Sequence, residues 1–424
     1  MLFPKPPLCT TDQLMKVRHH MPPETCVRQH VRKISFFQVC SLTAATKCPN
    51  ATWLEDYYLD LQREHYNGHI DQSSQGKQLW SSSSSSSSLN NLQHESQQFL
   101  GISIGCNKGF DAINTLRMGT YDADIDKAKW KQAMTSDGSE SLHLSVCNQD
   151  SAADVFPILN DDHHASNNSS KMILRPRGEM HCIEPMPQTY HKLQQSAETL
   201  GYTDKGLVVT HGAVSRNSGE MPFRSGGKAA GVENIGLGDC RGGSKQDCEM
   251  VKVYSLLEFV ERKVQAPSSQ NINVLSIDVE GFDGDVLLGA TSKVLERVEY
   301  LEFEYNWMGS WKRQHLYDII ELLDEQASMV CYWAGRDRLW RITECWMSYY
   351  DVHSWSNVAC ANRRLVPELA AKMEETFQRT LEDETQWFKH PNIPKKLGFW
   401  QRKYKDHVLL SLEEDKLRQK YIRI

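Results

Sequence analysis

Residues 99–109 read FLGISIGCNKG. Phe99 to Ile104 is a short uncharged apolar run, closed by Gly105, with Gly109 four positions further on. A run of this length, bounded by a turn residue, reads as a strand buried on both faces. The glycines let backbone approach a ligand and let the next helix start tightly. The turn is neither a P-loop nor the G-x-G-x-x-G dinucleotide fingerprint.

The same rhythm repeats outward from this stretch. Apolar runs recur at 180–183 (MHCI), 206–210 (GLVVT), 273–277 (NVLSI), 298–303 (VEYLEF) and 330–333 (VCYW). Helical patterns fill 187–200, 254–263, 283–295 and 312–324. Short buried strands alternating with helices predict βαβ units and a mostly parallel sheet with helices on both faces. No internal repeat interrupts the pattern. Three segments stand outside it. Residues 1–95 read as a poorly ordered leader with one helical candidate, Trp53 to His65, and a linker in the serine run Ser81 to Ser88. Residues 119–177 form a long insertion, either functional or mobile, in which Asp161, Asp162, His163 and His164 read as a solvated loop rather than a metal site. Residues 366–424 turn to charged helical composition and a basic-aromatic tail, read as peripheral helices. The central domain is expected over 96–365.

Composition limits the function. The chain has 424 residues, 40% hydrophobic and 24% charged, enough for a sizeable core. A net charge of −6 argues against a phosphate-backbone binder, so no nucleic acid is expected. No apolar run approaches the ~20 residues of a membrane span. The first residues lack the apolar centre of a signal peptide, which points to the compartment of synthesis or to a start lying elsewhere. Against this, twelve cysteines and the sequons at Asn50 and Asn167 suit a secretory lumen. The cysteines contain no C-x-x-C pair, which argues against a zinc ribbon, and leave reduced thiols and disulfides equally open.

Chemistry gathers at the strand ends, where open α/β sheets bind ligands. Cys182-Ile-Glu184-Pro185 places a carboxylate after the second strand; such a group accepts both ribose hydroxyls, or else caps a turn. Ser276-Ile-Asp278-Val-Glu280-Gly281-Phe-Asp283-Gly-Asp285 sets four carboxylates at the end of the fourth strand. Asp278 and Glu280 share a strand face and suit base chemistry or a divalent cation, whereas Asp285 suits the positive end of a helix. Glu302, Glu304 and Asn306 end the neighbouring strand.

With these motifs in order, the chain resembles FkbM-type S-adenosylmethionine-dependent methyltransferases. The matching residues are Ser103-Ile-Gly105-Cys-Asn107-Lys-Gly109, Glu184-Pro-Met-Pro187, Ala213-Val-Ser215, Ile277-Asp278-Val-Glu280-Gly281 and Leu301-Glu302-Phe-Glu304. The resemblance covers roughly residues 97–363. It implies a Rossmann-like class I fold with a seven-stranded sheet, S-adenosyl-L-methionine as cofactor, and O-methylation of a small-molecule or glycan acceptor. Ser103, Gly105, Asn107, Gly109, Glu184 and Ala213 would bind the cofactor. Asp278, Glu280 and Glu304 would be catalytic, with metal assistance left open. Ser103 and Ser276 depart from the family pattern, which more often has an acidic residue and a lysine there. A cluster of aromatics after the fifth strand, Trp307 to Trp355, is expected to be mostly core, with one or two members lining a pocket. Two other readings compete: a metal-dependent glycosyltransferase using Asp283-Gly-Asp285 as a D-x-D pair, and an inactive methyltransferase fold serving as a binding module.

Overall fold

A computed structural model describes residues 5–20, 50–74, 98–135, 156–158, 177–224, 230–231, 236–237, 248–347, 350 and 355–383. The serine run, His163, His164, Asn167, Tyr349 and the basic-aromatic tail lie outside them, as do Cys26, Cys40, Cys48, Cys147 and Cys240.

The main sheet has eight strands: β1 (Phe99–Ile104), β2 (Gly178–Glu184), β3 (Leu207–His211), β7 (Ile272–Ile277), β8 (Val298–Tyr305), β9 (Met329–Gly335), β10 (Arg338–Arg341) and β11 (Ser356–Asn362). Their spatial order is β10-β9-β11-β8-β7-β1-β2-β3. Strands β3, β2, β1, β7 and β8 are parallel, and every residue of β1 is buried, as the apolar run requires. The expected seven strands are therefore corrected to eight, with an antiparallel edge. Strand β11 slots between β8 and β9, antiparallel to both. The extra strand β10 comes from a tight hairpin in which Arg338 pairs with Gly335 and Asp337 takes φ 55°.

A second sheet of three strands, β4 (Ala213–Ser215), β5 (Gly219–Arg224) and β6 (Cys248–Ser255), has order β4-β6-β5. It follows β3 directly and so stands at the carboxyl edge of the main sheet. Helices α3 (Phe110–Thr120), α5 (Pro187–Leu200) and α9 (Leu316–Ala327) connect successive strands. The helix read over 254–263 is one α-helical turn, α6 (Leu256–Phe259), continued by a π-helical turn at Val260–Val264, and the one read over 283–295 is two short helices, α7 (Asp283–Leu288) and α8 (Thr291–Leu295). Within the insertion, α4 (Lys127–Thr135) packs Trp130 and Met134 against Leu193 and Tyr202.

The flanking segments join the same core. Helix α1 (Thr11–His20) contributes Leu14 and Val17, and α2 (Thr52–Ser74) contributes Trp53, Leu54, Tyr57 and Tyr58. Trp53 donates to the Tyr300 hydroxyl of β8 at 3.4 Å. Helix α10 (Pro367–Glu382) buries Leu369, Met373, Phe377 and Leu381. These described parts of the leader and tail are thus neither poorly packed nor peripheral, because their apolar residues fall on one helical face. Of the aromatics after β8, Trp311, Trp333, Trp340 and Tyr350 are buried as expected, Trp346 and Trp355 half-buried, and Trp307 exposed; none of them lines the cleft or the recess described below.

Candidate active site

Strand order reverses at β1, which lies between β2 and β7. The chain leaving β1 and the chain leaving β7 therefore diverge and open a crevice at the carboxyl edge. A cleft enclosing about 610 Å³, open solvent included, sits there. Gly105, Asn107, Glu184, Ala213, Asp278 and Glu280 all line it.

The glycine turn is forced into shape by its neighbours. Gly105 takes φ 78°, and a Cβ there would lie 1.9 Å from the Asp278 carbonyl oxygen. Only glycine allows that approach. Gly105 and Cys106 both donate their N–H to the Ile183 carbonyl, at 3.0 and 3.2 Å. Asn107, at φ 47°, donates its N–H to Glu184 Oε2 at 2.9 Å. Met186 donates its N–H to Glu184 Oε1 at 2.8 Å. Each carboxylate oxygen keeps a further acceptor position. Burial pushes Glu184 up to about 7 despite these two hydrogen bonds, with Asp278 adding to the rise. A disulfide joins Cys106 in the turn to Cys182 in β2, with Cα atoms 5.4 Å apart.

On the other side, Glu280 (φ 56°) and Gly281 (φ 93°) turn the chain out of β7. A non-glycine residue in this left-handed region carries strain, which clusters at functional sites. Asp278 is exposed, Glu280 half-buried and Glu304 buried, and their ligand oxygens lie within 4.8 Å of one another. Burial raises Glu304 first, and the charges of Asp278, Asp283 and Glu280 raise it further; Asn306 donates its side-chain N–H to it in partial compensation. Asp283 is fully buried and raised for the same reasons; it accepts the Glu304 N–H through Oδ1, and its Oδ2 has no partner.

Three of the residues read as site members do not line the cleft. Ser103 is buried inside β1, Gly109 (φ 74°) starts α3 against Leu193 and Trp130, and Glu304 stands behind Asp278. The sequence reading passed over Ile183, Met186, Phe223, Leu237, Gly212 and Gly236, which line the cleft as well. Glycine spacing could have found Gly212, which turns β3 into the small sheet; the apolar residues carry no local signal. Beside this cleft, Ser215, Arg216, Asn217, Met221, Asp285, Ser310, Arg313 and Gln314 surround a polar recess. Asp285 is committed there, accepting from Gln314 at 2.6 Å and paired with Arg216 at 3.3 Å. With Asp283 buried, Asp283-Gly-Asp285 does not offer two carboxylates to one metal–diphosphate group, which removes the geometric basis of the glycosyltransferase reading.

A mostly parallel sheet with this crevice is the framework of a methyltransferase-like fold. Residues 159–328 match the family model described as Methyltransferase FkbM domain, so the resemblance drawn from the motifs holds over that span. The span includes Glu184, Ala213, Asp278, Glu280 and Glu304 and begins after the glycine turn of β1. It supports a methyltransferase in general. Searches of the curated proteins and of the solved structures found no match. No helix among the described residues is long and apolar enough to cross a membrane.

Proposed function

We propose that the chain is an S-adenosylmethionine-dependent methyltransferase acting on a hydroxyl of a small-molecule or glycan acceptor. The observation that carries this reading is the pairing of the glycine turn with Glu184 across one cleft at the point where strand order reverses. The lining suits the cofactor. Ile183, Met186, Ala213, Val214, Phe223 and Leu237 offer an apolar slot for a flat base. Glu184 offers acceptor positions to vicinal hydroxyls. Asn107 Oδ1 is buried without a partner, an acceptor suited to an ammonium group.

The bound sulfonium supplies an activated methyl group. The protein's part is to hold the acceptor oxygen in line with that methyl and to keep water away. Asp278, exposed at the cleft, is placed to orient the hydroxyl and take its proton at a carboxylate oxygen. Glu304 and Asp283 are buried behind it, both raised by burial first and then by neighbouring carboxylate charge. A second reading follows from the close approach of Asp278, Glu280 and Glu304: an all-oxygen set of this kind holds a hard divalent cation, which would acidify the acceptor hydroxyl. The polar recess lined by Arg216, Asn217, Arg313 and Gln314 suits a hydroxyl-rich acceptor.

Transfer of label from methyl-labelled S-adenosylmethionine to a panel of glycans and hydroxylated small molecules tests the proposal. Label in an alkali-stable methyl ether supports it. Cofactor binding with label appearing only on nitrogen or carboxyl acceptors refutes methylation of a hydroxyl. Loss of transfer in EDTA, restored by Mg²⁺ or Mn²⁺, selects the cation reading over the carboxylate base.

A further inference from the structure

We propose that the disulfide between Cys106 and Cys182 is a positioning device of the cofactor cleft, and that the chain reaches full cofactor affinity only in an oxidising environment. The inference rests on the cofactor reading above.

The glycine turn is tied to β2 over consecutive residues. Gly105 and Cys106 share the Ile183 carbonyl, Asn107 holds Glu184, and the disulfide joins Cys106 to the residue preceding Ile183. Ser103, not Cys106, is the register partner of Cys182, so the chain doubles back over β2 to form the bond. Gly105 and Asn107, both left-handed, make that reversal. The sulfurs are nearly buried, Cys106 being 7% exposed and Cys182 1%, within the cluster that contains Trp130 and Leu193. On the cleft side of the same turn lie Asn107 and Glu184. Removing the covalent tie leaves the strained turn held by hydrogen bonds alone, and the Glu184 carboxylate loses a fixed partner. All seven described cysteines are disulfide-bonded, so the pairing is general rather than local. Such use of cysteine belongs to oxidising compartments. Asn50, the acceptor of an Asn-Ala-Thr sequon, is exposed, as a protein of the secretory lumen allows. Reduction by a dithiol would transfer two electrons and two protons to the Cys106 and Cys182 sulfurs and leave the dithiol as a disulfide.

The test uses the full chain secreted without reductant. Peptide mapping of non-reduced protein is expected to recover Cys106 linked to Cys182. Calorimetric titration of S-adenosylhomocysteine is expected to weaken at least tenfold in Cys106→Ala/Cys182→Ala at a temperature where the variant is folded by circular dichroism. The control is Cys331→Ala/Cys360→Ala, which removes the cross-strand disulfide between β9 and β11. That variant is expected to lose thermal stability with unchanged affinity. Free thiols at Cys106 and Cys182, or wild-type affinity in the first variant, overturns the proposal. If that variant fails to fold, titration of Cys331→Ala/Cys360→Ala before and after phosphine reduction, with peptide mapping that shows Cys106 and Cys182 as the thiols released, gives the same decision: weakened affinity supports the proposal and unchanged affinity overturns it. Absence of binding by oxidised wild-type protein refutes the cofactor reading instead, so the two failures are distinguishable.

Discussion

Glu184 sits at the floor of the cleft with its carboxyl held by the N–H groups of Asn107 and Met186, and burial lifts it from 4.5 to about 7. Between those two values the folded chain holds a proton that the unfolded chain has released. Its contribution to stability is therefore complete below about 4.5 and declines as pH rises through about 7. Ligand binding has the opposite sign, because only the charged carboxylate accepts both ribose hydroxyls. S-adenosylhomocysteine affinity is expected to rise about tenfold from pH 6 to pH 8, following the ionised fraction of a group titrating near 7. Calorimetric titration of Glu184→Gln should show weaker binding with a flat profile; a rise identical to wild type would exclude Glu184 as the titrating group. Asp278→Asn should leave that binding intact and abolish turnover, since Asp278 faces the cleft without shaping the glycine turn's own hydrogen bonds to β2. Full activity in that variant removes Asp278 from the mechanism.

Backbone strain separates catalysis from stability at Glu280. Its φ of 56° costs a non-glycine residue roughly 1 kcal/mol, and its carboxylate sits beside Asp278 and Glu304. Glu280→Gly is expected to keep or raise the melting temperature while lowering turnover at least tenfold. A lower melting temperature with normal turnover would reverse the assignment. Gly105→Ala carries the contrary expectation: steric overlap with the Asp278 carbonyl and a positive φ should cost about 2–5 kcal/mol in urea denaturation.

Among the elements, the parallel strands and their carboxyl ends were legible because strands buried on both faces read as apolar runs closed by turn residues. The sequence stretch 99–104 and helix 187–200 coincide with β1 and α5. Strand β11, SNVACAN, was not legible: its small residues and polar ends carry no β-branched run, and its place between β8 and β9 is set by tertiary pairing. The small sheet escaped for a related reason. Three of the eight residues of β6 are exposed and the alternation is imperfect, so its pairing with β4 and β5 had no sequence period to mark it. Of the candidate site, the polar residues were legible from their strand-end positions, whereas the apolar walls of the cleft come from distant turns. Helix α2 was legible as the helical candidate Trp53 to His65, but its place in the core was not. Trp53 is 2% exposed and hydrogen-bonds Tyr300, which in turn donates to Glu302. Trp53→Ala is expected to destabilise the whole domain by about 3–5 kcal/mol, measured by denaturant unfolding. A change below about 1 kcal/mol would show that α2 is separable from the core.

For the whole molecule, the disulfides reconcile a large insertion with a fixed site. Cys106 and Cys182 close a ring with a separation of 76 residues that contains the entire 119–177 insertion. In the chain-entropy model, closing a ring of that size removes about 4.5 kcal/mol of unfolded-state entropy. The insertion can thus be long without loosening the glycine turn beside Glu184. Cys9–Cys345, separated by 336 residues, ties the segment before α1 to the far edge of the sheet in the same way. The folding unit consequently draws on residues from nearly the whole described chain, whereas the cleft itself is lined from Gly105 to Glu280.

On the proposed reading, one cleft grips a sulfonium nucleoside between the glycine turn and the Glu184 carboxylate. Calorimetric titration of the oxidised protein with S-adenosylmethionine, against UDP-sugars and NAD as competitors, tests it most directly. Stoichiometric binding of S-adenosylmethionine alone is expected, lost in Glu184→Ala. Binding of a UDP-sugar in its place, or undiminished S-adenosylmethionine affinity in that variant, would contradict it.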